Sequence, residues 1–120
     1  MKKLLSLIAL TTLAMGGVAH GHSSVQKSVP ANNSTITQLP KNLSLTFSAA
    51  VQLTALAVQK DDGQPQDLGP LPKVAAREVS VPMPVIDAGS YIVKWRAAGE
   101  DGHVMSGKVL FKVAPAVKPQ

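Results

Sequence analysis

The chain has no cysteine, so no disulfide braces it and no thiolate can hold a metal. Its stability must come from packing, and any metal site must use nitrogen, oxygen or thioether donors. Aromatic residues are scarce at 3%, with one tryptophan, one tyrosine and two phenylalanines. The lysines are scattered, with no basic run interleaved with aromatics, which argues against a nucleic-acid partner. Amphipathic helical periodicity, internal repeats and low-complexity tracts are also missing. A long hydrophobic run occurs once, at the start of the chain, and no second one follows.

That run has the pattern of a targeting segment. Lys2 and Lys3 form a positive n-region, and Leu4 to Val18 is apolar and small apart from Ser6, Thr11 and Thr12. Ala19-His20-Gly21 then places small residues at the −3 and −1 positions of a cleavage site. The run is short for a transmembrane helix. Residues 1–21 are therefore expected to be a signal peptide cut between Gly21 and His22, with a cut after Ala19 as the alternative. Residues 22–120 would form one small secreted domain, large enough for a single core. Loss of Lys2 and Lys3 would lower the formal net charge of +5 by two, so the basic pI belongs in part to the leader.

The rest of the chain alternates with period 2. The stretch from His22 to Val29 has high β propensity and stops at Pro30; Asn32 and Asn33 in the following loop can take left-handed conformations. Leu43, Leu45 and Phe47 alternate with polar residues, as in a half-buried strand. Val51, Leu53, Ala55 and Ala57 predict a further strand, although Leu56 and Val58 intrude on its other face. Asp61-Asp62-Gly63 and the prolines at 65, 70 and 72 predict a surface loop with a short edge strand. Val79 and Val81 point inward in the next strand. Tyr91, Val93, Trp95 and Ala97 share the inward face of another, and Val109, Phe111 and Val113 that of the last. Six or seven short strands with frequent turns predict an all-β, antiparallel Greek-key β-sandwich, immunoglobulin-like or cupredoxin-like. Trp95 and Tyr91 fall in phase with the aliphatic stripe and are core residues.

Chemistry-bearing residues are few. Asp101 and His103 flank Gly102, two residues apart, so an extended backbone would turn both toward one ligand. The simpler explanation of Asp-Gly is a hairpin turn with a neighbouring histidine. The expected cut supplies a partner, because His22 would become the terminal residue. Its free α-amine and ring Nδ1 can close a six-membered chelate on one metal. With His103 the site offers three nitrogens, and Asp101 adds an oxygen. That set suits tetragonal Cu(II), whereas Zn(II) prefers a tetrahedron. A frayed terminus is the bland alternative for His22.

The same residues resemble the CopC family of periplasmic copper-binding proteins. The likeness spans the expected mature chain: the terminal histidine, Ser28-Val29-Pro30-Ala31, Leu43-Ser-Leu-Thr-Phe47-Ser48, Ala88 through Trp95-Arg96, and Glu100-Asp-Gly-His103 through Gly107, Phe111 and Val113. It implies a β-sandwich that binds one Cu(II) through the amine and ring of His22, the ring of His103 and the carboxylate of Asp101. Some members carry a methionine-rich loop for Cu(I). Here the region from Asp61 to Val81 has no methionine or histidine, and Met83 and Met105 are isolated, which points to packing for each. No Cu(I) methionine site is therefore expected. Glu100 sits where smaller residues are common in the family, as an outer acceptor or a solvated charge.

The resemblance implies a non-enzymatic, monomeric copper carrier or buffer of the periplasm, serving copper homeostasis, resistance or transport. Its partners would be the copper ion and an inner-membrane copper transport or resistance protein. A copper monooxygenase is the alternative, since a terminal-histidine brace on a β-sandwich also resembles polysaccharide-oxidising enzymes. A metal-free adhesion or assembly module is the third reading.

Overall fold

In the computed structural model, which describes residues 24–115, seven strands form and no helix does. They are β1 (Val25–Val29), β2 (Ser34–Ile36), β3 (Asn42–Lys60), β4 (Pro65–Asp67), β5 (Ala76–Pro82), β6 (Gly89–Gly99) and β7 (Val104–Val113). No helix of the described residues is long and apolar enough to cross a membrane.

The strands make one sheet in the order β1-β3-β6-β7-β2, with β4 and β5 also paired to β3. The first part of β3 lies between β1 and β5, where Leu45 is opposite Ser28 on one side and Val79 on the other. From Val51 onward β3 pairs with β6, down to Lys60 opposite Tyr91, and β4 flanks it near Ala57. Thus β3 runs through both layers of a sandwich, and the sheet curls around the core. Leu43, Leu45, Phe47, Val79 and Val81 enter that core from one layer. Leu53, Leu56, Val58, Tyr91, Val93, Trp95, Val109 and Phe111 enter from the other. Phe47 meets Trp95 edge to face across the layers, with ring centroids 5.1 Å apart. Tyr91 stacks on its cross-strand neighbour Phe111 at 5.5 Å.

The all-β sandwich and its inward stripes match the sequence expectation, with three differences. The sequence predicts two strands over 43–58, and one continuous β3 forms. Within it, Leu53 is opposite Ala97 but Ala55 is opposite Arg96, so Thr54 is an extra residue. One inserted residue reverses the side-chain phase. Leu56 and Val58, which the sequence pattern sets on the outer face, are therefore inside at 3% exposure each, and Ala55 and Ala57 are turned outward. Burying a leucine and a valine in place of two alanines removes far more apolar surface from water. The third difference is β2, which pairs parallel with β7 inside what the sequence reads as loop. The asparagine loop pins that parallel edge. Asn33 takes a left-handed φ of 65° and its N–H donates to the Leu110 carbonyl, while Asn32 Oδ1 accepts from Leu110 N–H at 2.9 Å.

Gly107 lies opposite Trp95, and the indole packs over it. A Cβ there would meet Trp95 Cζ2 at 2.7 Å, closer than packed atoms tolerate. The indole is also held by Phe47, so it cannot simply swing away. Gly107→Ala should cost about 1–3 kcal/mol by overpacking. Urea unfolding followed by Trp95 fluorescence checks this; an unchanged midpoint would mean that the indole is not held as described.

Candidate metal centre

β6 and β7 pair as far as Ala98 opposite Val104, and Gly99 to His103 make the connection. Gly99 N–H donates to the His103 carbonyl at 2.9 Å, and Gly102 N–H to the Gly99 carbonyl at 3.0 Å. Gly102 has φ of +87°, in the left-handed region where a side chain is strained. The turn is therefore closed by glycine chemistry, and it carries both sequence-predicted ligands of the second half of the chain.

Asp101 and His103 do face each other. Asp101 Oδ1 accepts from the His103 backbone N–H at 3.0 Å, and Oδ2 lies 2.7 Å from His103 Nδ1. An ionised carboxylate only accepts, so Nδ1 is the donor, and in the neutral ring Nε2 keeps its lone pair. These two hydrogen bonds, the side-chain one first, hold the Asp101 carboxyl below the usual aspartate value against a small opposing effect of burial. The His103 side chain is 77% exposed, so its free nitrogen is open to an incoming ion. A carboxylate on Nδ1 fixes ring orientation and raises the donor strength of the other nitrogen. In this arrangement both Asp101 oxygens are turned to His103.

The start of the described chain reaches the same end of the sandwich. Ser24 N–H donates to Ser48 Oγ at 3.0 Å, and Ser48 N–H donates back to the Ser24 carbonyl at 2.9 Å. Ser24 and Val25 line one cleft of about 480 Å³ with Trp95, His103 and Met105. His22 lies outside the described residues. One residue, Ser23, stands between it and Ser24, so the two positions are at most about 7 Å apart along the backbone. Among the described residues no group of three or more histidines and carboxylates is arranged to hold a metal, and Asp101–His103 stands as a pair.

Met105 packs half-buried against the core, as its isolation in sequence suggests, and it also lines the cleft beside His103. The signal for that second position is its spacing, since Met105 lies two residues after His103 at the start of β7. Met83 packs against the core, and Glu100 is exposed. All four aromatic residues, Phe47, Tyr91, Trp95 and Phe111, are buried.

Comparison with known proteins gives a consistent family. A family model described as the CopC domain matches residues 25–114. CopC from Methylosinus trichosporium OB3b is 25% identical, with a TM-score of 0.70 over 82% of this chain and 100% of that one. PcoC from Escherichia coli, described as a methionine-rich copper resistance protein, is 26% identical, with a TM-score of 0.56 over 78% of this chain and 99% of its own. No curated protein sequence is matched.

The Asp101–His103 bond has its own test in the metal-free protein. Hydrogen bonding that lowers a folded-state carboxyl pKa stabilises the fold above the unfolded value and is lost as pH falls through the lowered one. A carboxyl-carbon NMR titration should place Asp101 below the ordinary value near ~3.9, and His103→Ala should move it back up. An Asp101 titration indifferent to His103→Ala would break the pairing.

Proposed function

The chain belongs to the CopC domain family, and from that premise we propose that it is a periplasmic carrier or buffer of Cu(II) with one metal site. The observation that supports this most is the shared cleft. A histidine with a free Nε2 lines it together with the segment that His22 precedes by two residues. The ligands in this reading are the α-amine and ring of His22 and Nε2 of His103. Asp101 keeps its place on Nδ1 as the orienting carboxylate, and it joins the ion as an oxygen ligand only by leaving Nδ1. Three nitrogens in a tetragonal set favour Cu(II) over other divalent first-row ions. The likeness to a CopC and to a copper resistance protein points the same way.

Signal cleavage after Gly21 is part of the proposal, because only a free terminus at His22 provides the amine. Transfer of the ion to an inner-membrane copper transport or resistance protein would complete the role. A copper monooxygenase acting on polysaccharide finds less support, since every aromatic residue is used in the core and none is left for a stacking platform. The region from Asp61 to Val81 carries no thioether or imidazole, which supports the reading of a single copper site.

Both imidazoles and the amine must lose protons to bind, with reference pKa values of about 6.5 and 7.7–8.0. Affinity for Cu(II) should fall steeply between about pH 7 and pH 5. His103→Ala should cut affinity strongly, and one extra residue placed before His22 should do the same by turning the amine into an amide. Competition titration with a Cu(II) chelator measures all three. Unchanged affinity in the extended protein would remove the terminal chelate from the account.

A further inference from the structure

The outer face of the sheet carries a cationic groove that the copper reading does not use. On that face Lys94 of β6 is directly opposite Lys108 of β7, and Arg96 follows two residues along, opposite Ser106. Like charges facing each other across a sheet are destabilising. Neither lysine nor the arginine takes part in an ion pair among the described residues; the pairs present are Lys60–Asp87 and His103–Asp101. The acid on this face of the sheet strands is Asp67 on the edge strand β4, beyond Ala57 and so about 10 Å across two strands from Lys94. Ala55 and Ala57 lie beside Arg96 and Lys94 on β3. Small residues thus floor a groove of about 640 Å³ walled by the three cations, with Trp95 and Gly107 beneath.

We infer that this groove docks an extended acidic segment of a partner protein. Lys94 and Arg96 project at the two-residue repeat of a strand, roughly 6.6 Å apart. Carboxylates at alternate positions of an extended chain repeat at the same distance, so two would meet Lys94 and Arg96 while Lys108 faces the first from the side. The floor of alanine, serine and glycine admits a narrow chain and would be bridged, untouched, by a flat headgroup layer. Residues 1–23 carry Lys2 and Lys3 and residues 116–120 carry Lys118, with no Asp or Glu in either segment, so neither supplies the acidic chain. Trp95 and Ser106 line both this groove and the cleft of His103, so a segment held here lies next to that cleft. The groove itself is lined by none of the proposed copper ligands.

The test is an amide NMR titration of the metal-free protein with a short blocked peptide alternating glutamate and serine. A glutamine–serine peptide and vesicles containing phosphatidylglycerol serve as the other arms. Shifts should concentrate at Ala55, Ala57, Lys94 to Arg96 and Ser106 to Lys108, and vanish near ~1 M salt, where the screening length is about 3 Å. The combined variant Lys94→Gln, Arg96→Gln, Lys108→Gln should weaken peptide binding at least about tenfold. It relieves a repulsion, so it should fold; if it does not, the shift map and salt dependence of the unaltered protein decide. Absent or scattered shifts, equal binding of the glutamine peptide, equal affinity of the variant, or binding of vesicles alone would overturn the proposal. The variant should still take up Cu(II) like the parent, which separates failure of the groove from failure of the metal site.

Discussion

Everything in this molecule depends on how β3 passes from one layer to the other between Phe47 and Val51. Phe47 seals the core against the edge of Trp95. The next residue, Ser48, grips Ser24 through two hydrogen bonds. Val51 then stands opposite Gly99, where the β6–β7 turn begins. About 10 Å of extended chain therefore joins the anchor of the chain start to the base of the turn that carries Asp101 and His103. Segments far apart in sequence meet at one end of the sandwich because one strand belongs to both layers. Fold stability and site geometry are consequently coupled, and a disturbance of the crossing would move both halves of the cleft.

Much of this is legible in the residues, and the reasons for the remainder are specific. The inward stripes of β5, β6 and β7 follow from strict alternation, which only one register can bury. The phase of β3 beyond Leu53 does not follow, because alternation there supports two faces and a single bulge at Thr54 decides between them. The short β2 is hidden beside a loop signal, since its pairing with β7 is non-local and the asparagines that precede it read as a turn. At the site, Asp101 and His103 are marked by their spacing about a glycine turn. Which ring nitrogen stays free is not, because that depends on where the carboxylate rests. The opposition of Lys94 and Lys108 is equally invisible, for it requires the β6–β7 register.

The two faces of β6 have separate chemical roles. Its inward residues build the core, and Trp95 among them underlies both the cleft of His103 and the outer groove. Its outward residues leave unneutralised positive charge along the outer groove, which costs stability unless something acidic answers it. The turn at its end holds a carboxylate and an imidazole exposed to solvent, at 52% and 77%, where an ion can reach them without displacing packed structure. A rigid sheet thus places a metal-accessible histidine beside a charged surface, with little rearrangement required for either to act.

In the proposed site the chain start and the β6–β7 turn together hold one Cu(II) ion. Paramagnetic broadening of amide signals on adding one equivalent of Cu(II) to the processed protein tests it most directly. Signals of Ser24, Val25, Ser48 and Gly99 to Met105 should disappear. Those around Lys60, Asp87 and Tyr91, at the far end of β6, should persist. Broadening centred at that far end, or spread evenly over the molecule, would contradict it.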